Sequence, residues 1–371
     1  MKVLHIITGL GDGGAEMILY QICKFDDLDR HVVISLSGPG KYTQLLQEIG
    51  VKVFTCNLHS NKLLGLYLLI KYIRQIRPDV IQTWMYHGNL IGGIGARISG
   101  YRKIFWSIRN SGHNLSLFNF KTRVIVKLGG FFSSFIPVKI ISCSSAALAP
   151  HIRLGYKCNQ FVVIPNGYDV DRFSVCHQDA GIVRKQYLPS FDIPILGMVA
   201  RFDPSKDHEN LFAALHHLVT KGCVFKCLLI GNGLSVDNKS ITDLLATYGI
   251  EDHVILLGPQ ANIPLWMKVI DIHVLSSAAE AFPNVLAEAM LSGTPCVSTD
   301  VGDASLIIGD TGWLVPPRDP VALSQALLEA IGEFKNPQKW SRRKELARKR
   351  IIDNFTIQKM INAYRKLWSS A

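Results

Sequence analysis

Two cations in one short loop are the first residues whose types and spacing could do chemistry. Arg201 and Lys206 stand in Val199-Ala200-Arg201-Phe202-Asp203-Pro204-Ser205-Lys206-Asp207, directly after a strand-like run. Parallel sheets bind ligands outside the carboxyl ends of their strands, so a cation pair there can neutralise a diphosphate. Glu280-Ala281-Phe282-Pro283-Asn284-Val285-Leu286-Ala287-Glu288 follows another strand-like run and opens a helix, with Pro283 near its first position. The N-terminal amides of that helix, around Asn284, Val285 and Leu286, would favour a phosphate in the same crevice. Glu280 precedes the helix and Glu288 lies inside it. That spacing suits hydroxyls at opposite ends of a ligand better than an acid and base acting on one atom. Read separately, the cations are solvated loop residues and the glutamates a cap and an exposed helical side chain.

A third candidate is Gly9-Leu10-Gly11-Asp12-Gly13-Gly14, which lies between a strand-like run and a helix. The letters satisfy a dinucleotide fingerprint, but the acid needed to hold a ribose is missing, because the second strand ends Leu36-Ser37-Gly38-Pro39. The surviving expectation is close backbone approach to an anion or a sugar at Gly13 and Gly14. Asp169-Val170-Asp171 spells a metal motif, yet it follows Ile164-Pro165-Asn166-Gly167, where turn chemistry accounts for aspartates. The eight cysteines lack the paired spacing of zinc or redox sites and read as buried thiols in a reducing compartment. Cys223 and Cys227 are expected on one face of a strand, in the core. No metal and no cofactor is expected.

The elements that must position these residues alternate in type. Strand-like runs at 2–8, 31–37, 51–55, 80–83, 104–108, 139–142 and 161–164 are separated by helix-length segments. After a looser stretch, 165–191, the alternation resumes at 195–200, 226–230, 254–257, 272–275, 295–298 and 312–315. Such alternation predicts an α/β chain with parallel sheets in two Rossmann-like domains, 1–170 and 185–352. A terminal helix at 353–371, apolar on one face through Met360, Ile361, Tyr364 and Leu367, is expected to cross back to the first domain.

Charge divides the chain unevenly. The net charge is +11, and residues 59–139 hold twelve Lys or Arg against the single acid Asp79, which matches that excess. Such a patch attracts phosphates on nucleic acid, on a membrane or on a diphosphate substrate. Within 115–141, Lys121, Arg123, Lys127 and Lys139 interleave with Phe118, Phe120, Phe131, Phe132, Phe135 and Ile136, a pattern that suits a helix lying on an anionic leaflet. A buried helix with solvated lysines is the plainer alternative. No nucleic-acid-binding module is visible, so nucleic acid is not an expected partner. The apolar runs 63–70 and 128–138 fall short of the ~20 residues a membrane span needs. The N-terminal run lacks a signal-peptide h-region, and a cytoplasmic location at the inner face of the membrane is expected.

Five motifs, in order along nearly the whole chain, resemble family 4 of the glycosyltransferases. They are Gly11-Asp12-Gly13-Gly14-Ala15-Glu16, Val163-Ile164-Pro165-Asn166-Gly167, the Arg201/Lys206 loop, the Glu280/Glu288 pair and Thr311-Gly312-Trp313-Leu314-Val315-Pro316-Pro317. The resemblance implies a GT-B fold, with two facing Rossmann-like domains, and retention of anomeric configuration. It implies that Arg201 and Lys206 hold the donor diphosphate, Glu280 the transferred sugar and Glu288 the nucleotide ribose. Phe282, Pro283, Asn284, Val285, Leu286 and Gly14 complete the donor side, and Gly13, His87, Arg109 and His113 the acceptor side. Gln82-Thr83-Trp84-Met85-Tyr86-His87, Trp106-Ser107-Ile108-Arg109-Asn110-Ser111 and Val301-Gly302-Asp303-Ala304 resemble a branch that assembles polysaccharide and lipopolysaccharide. Relatives often carry a histidine just after the strand that here ends at Ile108. In this chain either His113 serves instead or Arg109 and Asn110 take over, and the position at the strand end favours the latter. The expected donor is a nucleotide-sugar of the UDP-sugar class, although the base itself is not legible, and the acceptor is a glycan or lipid-linked saccharide. A GT-B sugar-nucleotide epimerase and a basic nucleic-acid-binding protein are the alternative readings.

Overall fold

The computed structural model describes residues 1–112, 118–174, 177–187 and 192–370. They form two compact units, one made of Met1–Gly167 with Ile357–Ala371 and the other of Tyr168–Thr356.

The first unit is built on seven strands, β1 (Lys2–Ile7), β2 (Arg30–Ser35), β3 (Lys52–Thr55), β4 (Val80–Trp84), β5 (Ile104–Ile108), β6 (Lys139–Ser142) and β7 (Phe161–Val163). All pair in parallel, in the order β3-β2-β1-β4-β5-β6-β7. Chain order reverses at β1, so the crevice at the carboxyl ends of β1 and β4 is the switch point where such sheets bind ligands. The strands carry apolar residues on both faces because helices cover both. Val3 and Ile7 join a cluster with the helices Gly14–Phe25, Lys41–Glu48 and Ile357–Ser369, while Leu4 and Ile6 join one with Lys62–Ile76, Gly93–Ile98 and Phe120–Phe132.

The terminal helix is integral to this unit. Met360, Ile361, Tyr364 and Trp368 are buried, and the Trp368 indole donates to Gln82 Oε1 at 3.1 Å. Arg365 binds the buried Asp26 carboxylate and reaches Asp27 at 3.2 Å.

The second unit has six parallel strands, β8 (Ile195–Val199), β9 (Lys226–Ile230), β10 (Val254–Gly258), β11 (Ile272–Leu275), β12 (Cys296–Thr299) and β13 (Trp313–Val315). The order β10-β9-β8-β11-β12-β13 places its switch point between β8 and β11. Leu196 and Met198 face the helices His208–Thr220 and Pro320–Phe334, whereas Ile195 packs on the opposite face with Trp266, Val269 and Ile270.

Three readings of the sequence need correction. The looser stretch 165–191 contains a helix, His177–Tyr187, which packs on the second unit through Ala180 and Val183. Its Arg184 pairs with Asp271 at 2.6 Å and donates to Ile193 O at 2.8 Å. Its weak apolar periodicity hid it, because the docking rests on this buried ion pair. Cys223 lies in the turn before β9, so only Cys227 sits in the strand. Cys158 is exposed and Cys223 half-buried, so not every thiol is in the core; Cys176 lies outside the described residues.

Candidate functional site

In the second unit, the chain leaving β8 is shaped by its own aspartates. Asp203 accepts from Ser205 N at 2.9 Å and Ser205 Oγ at 2.6 Å, which closes a tight turn over Pro204–Lys206. Asp207 then adopts a left-handed conformation and caps the helix His208–Thr220 through Asn210 N. These turns aim Lys206 at the loop after β11. Lys206 Nζ lies 2.5 Å from Glu280 Oε1, and Ser277 Oγ donates to the same oxygen at 2.9 Å. The two loops are tied further by Ala278 N to Ser205 O at 2.9 Å and Ser276 Oγ to Lys206 O at 3.0 Å. Two candidates that are 74 residues apart in sequence therefore meet at adjacent strand ends, a cation and a carboxylate in direct contact.

Arg201 is exposed and lines a pocket of about 260 Å³ with Ala200, Gly231, Asn232, Pro259 and Gln260. The pocket sits at the carboxyl ends of β8, β9 and β10. Gly231 is required there: its φ is +146°, and a Cβ would lie 1.9 Å from Ala200 O.

The helix Asn284–Leu291 begins after Pro283. Phe282 is buried and packs edge-on against Phe355, and Asn284 Oδ1 accepts from Tyr168 at 2.6 Å. The Leu286 amide is turned onto Pro283 O at 3.1 Å, whereas Val285 is half-buried at the same helix start. Glu288 is half-buried one turn further on, and burial raises its carboxyl above the usual range, with Arg172 opposing. Gly302, at φ +60°, lets the loop after β12 press on Glu280 and Ala281, since a Cβ would lie 2.3 Å from Ala281 O. Asp303 N donates to that same carbonyl at 2.9 Å. The sequence reading assigned no role to Ser276, Ser277 or Gly231, and named Gly302 only as part of Val301-Gly302-Asp303-Ala304. The two glycines carried a signal, each following a strand in a turn, but serines at a strand end have no distinguishing spacing.

In the first unit, Gly13, Gly14, His87, Arg109 and Asn110 follow the adjacent strands β1, β4 and β5. Gly13 caps the helix Gly14–Phe25, and Gly88 N donates to Thr8 Oγ1 at 3.1 Å, holding the chain after β4 against the glycine loop. His87 is half-buried, and burial with His59 lowers its pKa. The Arg109 guanidinium is fully engaged: Nε donates to Ser107 Oγ at 3.0 Å, Nη1 to Asn166 Oδ1 and Nη2 to the Tyr364 hydroxyl. It also stacks on Trp84 at 5.0 Å. Asn110 Oδ1 accepts from Gly112 N at 2.9 Å, and His113 lies outside the described residues.

Among the described residues, His5, Cys23 and His31 form a group close enough to hold a metal, with ligand atoms within 4.8 Å. Proton positions argue otherwise. The Trp84 indole donates to His5 Nδ1 at 3.1 Å, which places the ring proton on Nε2, 2.9 Å from His31 Nδ1. His31 Nε2 then faces Asp26 Oδ2 at 3.3 Å. Burial alone would raise Asp26, but hydrogen bonds from His31 and Arg365 outweigh it and hold the carboxyl well below its usual range. Both histidine lone pairs are therefore used within the core. Asp169 Oδ1 likewise accepts from Asp171 N at 3.1 Å, a turn bond.

Residues 193–333 match the family Glycosyl transferases group 1. The chain is 30% identical over 193 residues to N-acetyl-alpha-D-glucosaminyl L-malate synthase of Bacillus anthracis, a match that spans 52% of this chain and only 49% of that relative. It is 21% identical to the UDP-Gal:alpha-D-GlcNAc-diphosphoundecaprenol alpha-1,3-galactosyltransferase of Escherichia coli, across 99% of this chain and 96% of the relative. Its fold is that of Anabaena Alr3699/HepE, solved in complex with UDP, with a TM-score of 0.85, 23% identity and full coverage of both chains. Residues 193–333 thus carry the match to Glycosyl transferases group 1, and the chain as a whole has the GT-B fold.

Proposed function

We propose that the protein moves a sugar from a UDP-sugar to a lipid-linked saccharide during cell-surface polysaccharide assembly, with retention of configuration and without a metal. The observation that carries this reading is the Lys206–Glu280 contact at the adjacent ends of β8 and β11, with Arg201, in the same loop as Lys206, lining the pocket at the carboxyl ends of β8, β9 and β10. In the proposed complex the nucleotide enters that pocket and Arg201 meets the diphosphate. Lys206 exchanges part of its contact with Glu280 for a phosphate oxygen, and the freed Glu280 oxygen accepts from sugar hydroxyls. Charge on the departing diphosphate then develops next to two cations, where neutralisation lowers the barrier. Glu288 is proposed for the ribose. In the first unit Arg109 is proposed as a positioning residue, since its three nitrogens already fix the end of β5 to Asn166 and Tyr364. The names of relatives support the substrate classes: one acts on a diphosphoundecaprenol-linked sugar and one was solved with UDP.

A thermal-shift screen of nucleoside diphosphates and their sugars tests the donor, because a ligand at about 100 times its dissociation constant stabilises by ~2.7 kcal/mol. UDP should give the largest shift. Arg201→Ala and Glu280→Ala should abolish turnover in EDTA-treated enzyme while leaving the melting curve in place; full turnover in either variant would sink the site. Conversion of the UDP-sugar to its epimer, with no UDP released when a saccharide acceptor is supplied, would favour an epimerase instead.

A further inference from the structure

The helices Lys62–Ile76, Gly93–Ile98 and Phe120–Phe132 form one layer on one face of the first sheet. Arg74 Nη2 donates to Ile98 O at 3.3 Å, and Arg97 Nη2 donates to Phe135 O and Ile136 O at 2.7 Å, so the layer is stitched side to side. Its outer surface is unusually apolar. Phe120 is 72% exposed, Phe131 and Phe135 are each 64% exposed, and Leu63 is 82% exposed, with Leu64, Leu66, Tyr67, Ile98, Val124 and Leu128 exposed as well. Isolated apolar side chains on a surface need no explanation, but a contiguous set on one layer does.

The arrangement on Phe120–Phe132 identifies the solvent it suits. At about 100° per residue, Phe120, Val124, Leu128 and Phe131 fall within an arc of about 80°. Arg123 and Lys127 flank that arc on one side and Lys121 on the other, all three exposed. The opposite side, with Val126, Gly129 and Gly130, is buried against the unit. An apolar strip bordered by long cationic side chains is the geometry of a helix resting at a bilayer interface, where ring and branched groups enter the acyl boundary and the cations reach headgroup phosphates. The helix Lys62–Ile76 repeats the theme along its length. Leu63 and Tyr67 are exposed in its first turns, Lys71 and Arg74 in its last. With one acid among residues 59–139, nothing in this layer repels an anionic surface.

We infer that this layer is a docking surface for an anionic lipid bilayer, with Phe120 and Phe131 of one helix, Phe135 in the turn that follows it, and Leu63 and Tyr67 of the other helix as the inserted groups. The inference deepens the proposed lipid-linked acceptor by naming the surface that would bring the first unit to it.

The test is co-sedimentation with phosphatidylcholine vesicles, with and without phosphatidylglycerol, in the absence of nucleotide. Wild-type protein should partition onto the anionic vesicles and release as salt is raised. Lys121→Gln/Arg123→Gln/Lys127→Gln should weaken partitioning by about 100-fold, at roughly fivefold per cation. Phe120→Ser/Phe131→Ser should weaken it by about tenfold or more. Both variants alter exposed side chains, and an unshifted melting temperature is the check on folding. Equal partition of wild type and either variant would overturn the surface, as would equal binding to neutral vesicles. A solution dimer that Phe120→Ser/Phe131→Ser dissolves, with vesicle binding unchanged, would assign the face to a second copy and also overturn it. Because the vesicles carry no sugar acceptor, their result is independent of whether UDP proves to be the donor nucleotide.

Discussion

Removing His273 should make the second unit less sensitive to acid. This residue lies on β11 between Gly197 of β8 and Cys296 of β12, fully buried, and neither ring nitrogen has a hydrogen-bond partner. Burial pushes its imidazole down to about 3, against about 6.5 in an unfolded chain. The folded state therefore refuses a proton that the unfolded state accepts. Stability is complete above pH 6.5 and drains as the pH falls toward the folded value. One proton of difference amounts to ~1.4 kcal/mol per pH unit, so the drop from pH 6.5 to 5 removes roughly 2 kcal/mol. His208 behaves alike: burial and then Lys206 lower it to about 4, with Asp203 opposing. The two rings together cost roughly 4 kcal/mol by pH 5, a large part of an ordinary folding free energy. Urea unfolding of wild type and His273→Leu at pH 7, 6 and 5 reads the effect directly. The variant should lose about half of this pH-dependent destabilisation and be no less stable at pH 7, because it deletes unpartnered buried polar atoms. An unchanged slope in the variant would show that the buried ring titrates normally, and the linkage argument would fail.

Three further outcomes follow from the geometry. Lys206→Gln should lower kcat by about 100-fold or more, the usual effect of removing a charge-stabilising donor, while the melting temperature moves little; near-normal kcat would show that Lys206 only holds Glu280. Gly231→Ala should weaken UDP binding by at least about tenfold, since the new Cβ meets the Ala200 carbonyl and the pocket wall must move; isothermal titration with unaltered affinity would contradict it. Arg365→Met strands the buried Asp26 carboxylate and should cost roughly 3–5 kcal/mol in denaturant unfolding. Adding Asp26→Asn should recover part of that loss, and no recovery would mean that packing by Arg365, not its charge, holds the terminal helix.

What was legible in the sequence is what depends on local order. Strands at 104–108, 139–142, 226–230 and 272–275 and the helix Asn284–Leu291 coincide with their sequence readings, because apolar runs, β-branched residues and Pro283 act within a few residues. The Arg201/Lys206 loop and the Glu280/Glu288 pair were visible because strand ends in a parallel sheet locate ligands before any contact is known. Tertiary structure alone decided the pairings. Lys206 meets Glu280 across 74 residues because β8 and β11 are neighbours at a switch point, which no periodicity encodes. Arg109 reads in the sequence as a replacement for a histidine after a strand, and only the fold shows that Tyr364, 255 residues away, returns on the terminal helix to engage it. The helix Lys62–Ile76 joined the apolar face of Phe120–Phe132 for the same reason: sheet order, not sequence distance, sets which helices share a layer. Local chemistry chose the elements and marked the cations and carboxylates, and strand topology determined which of them touch.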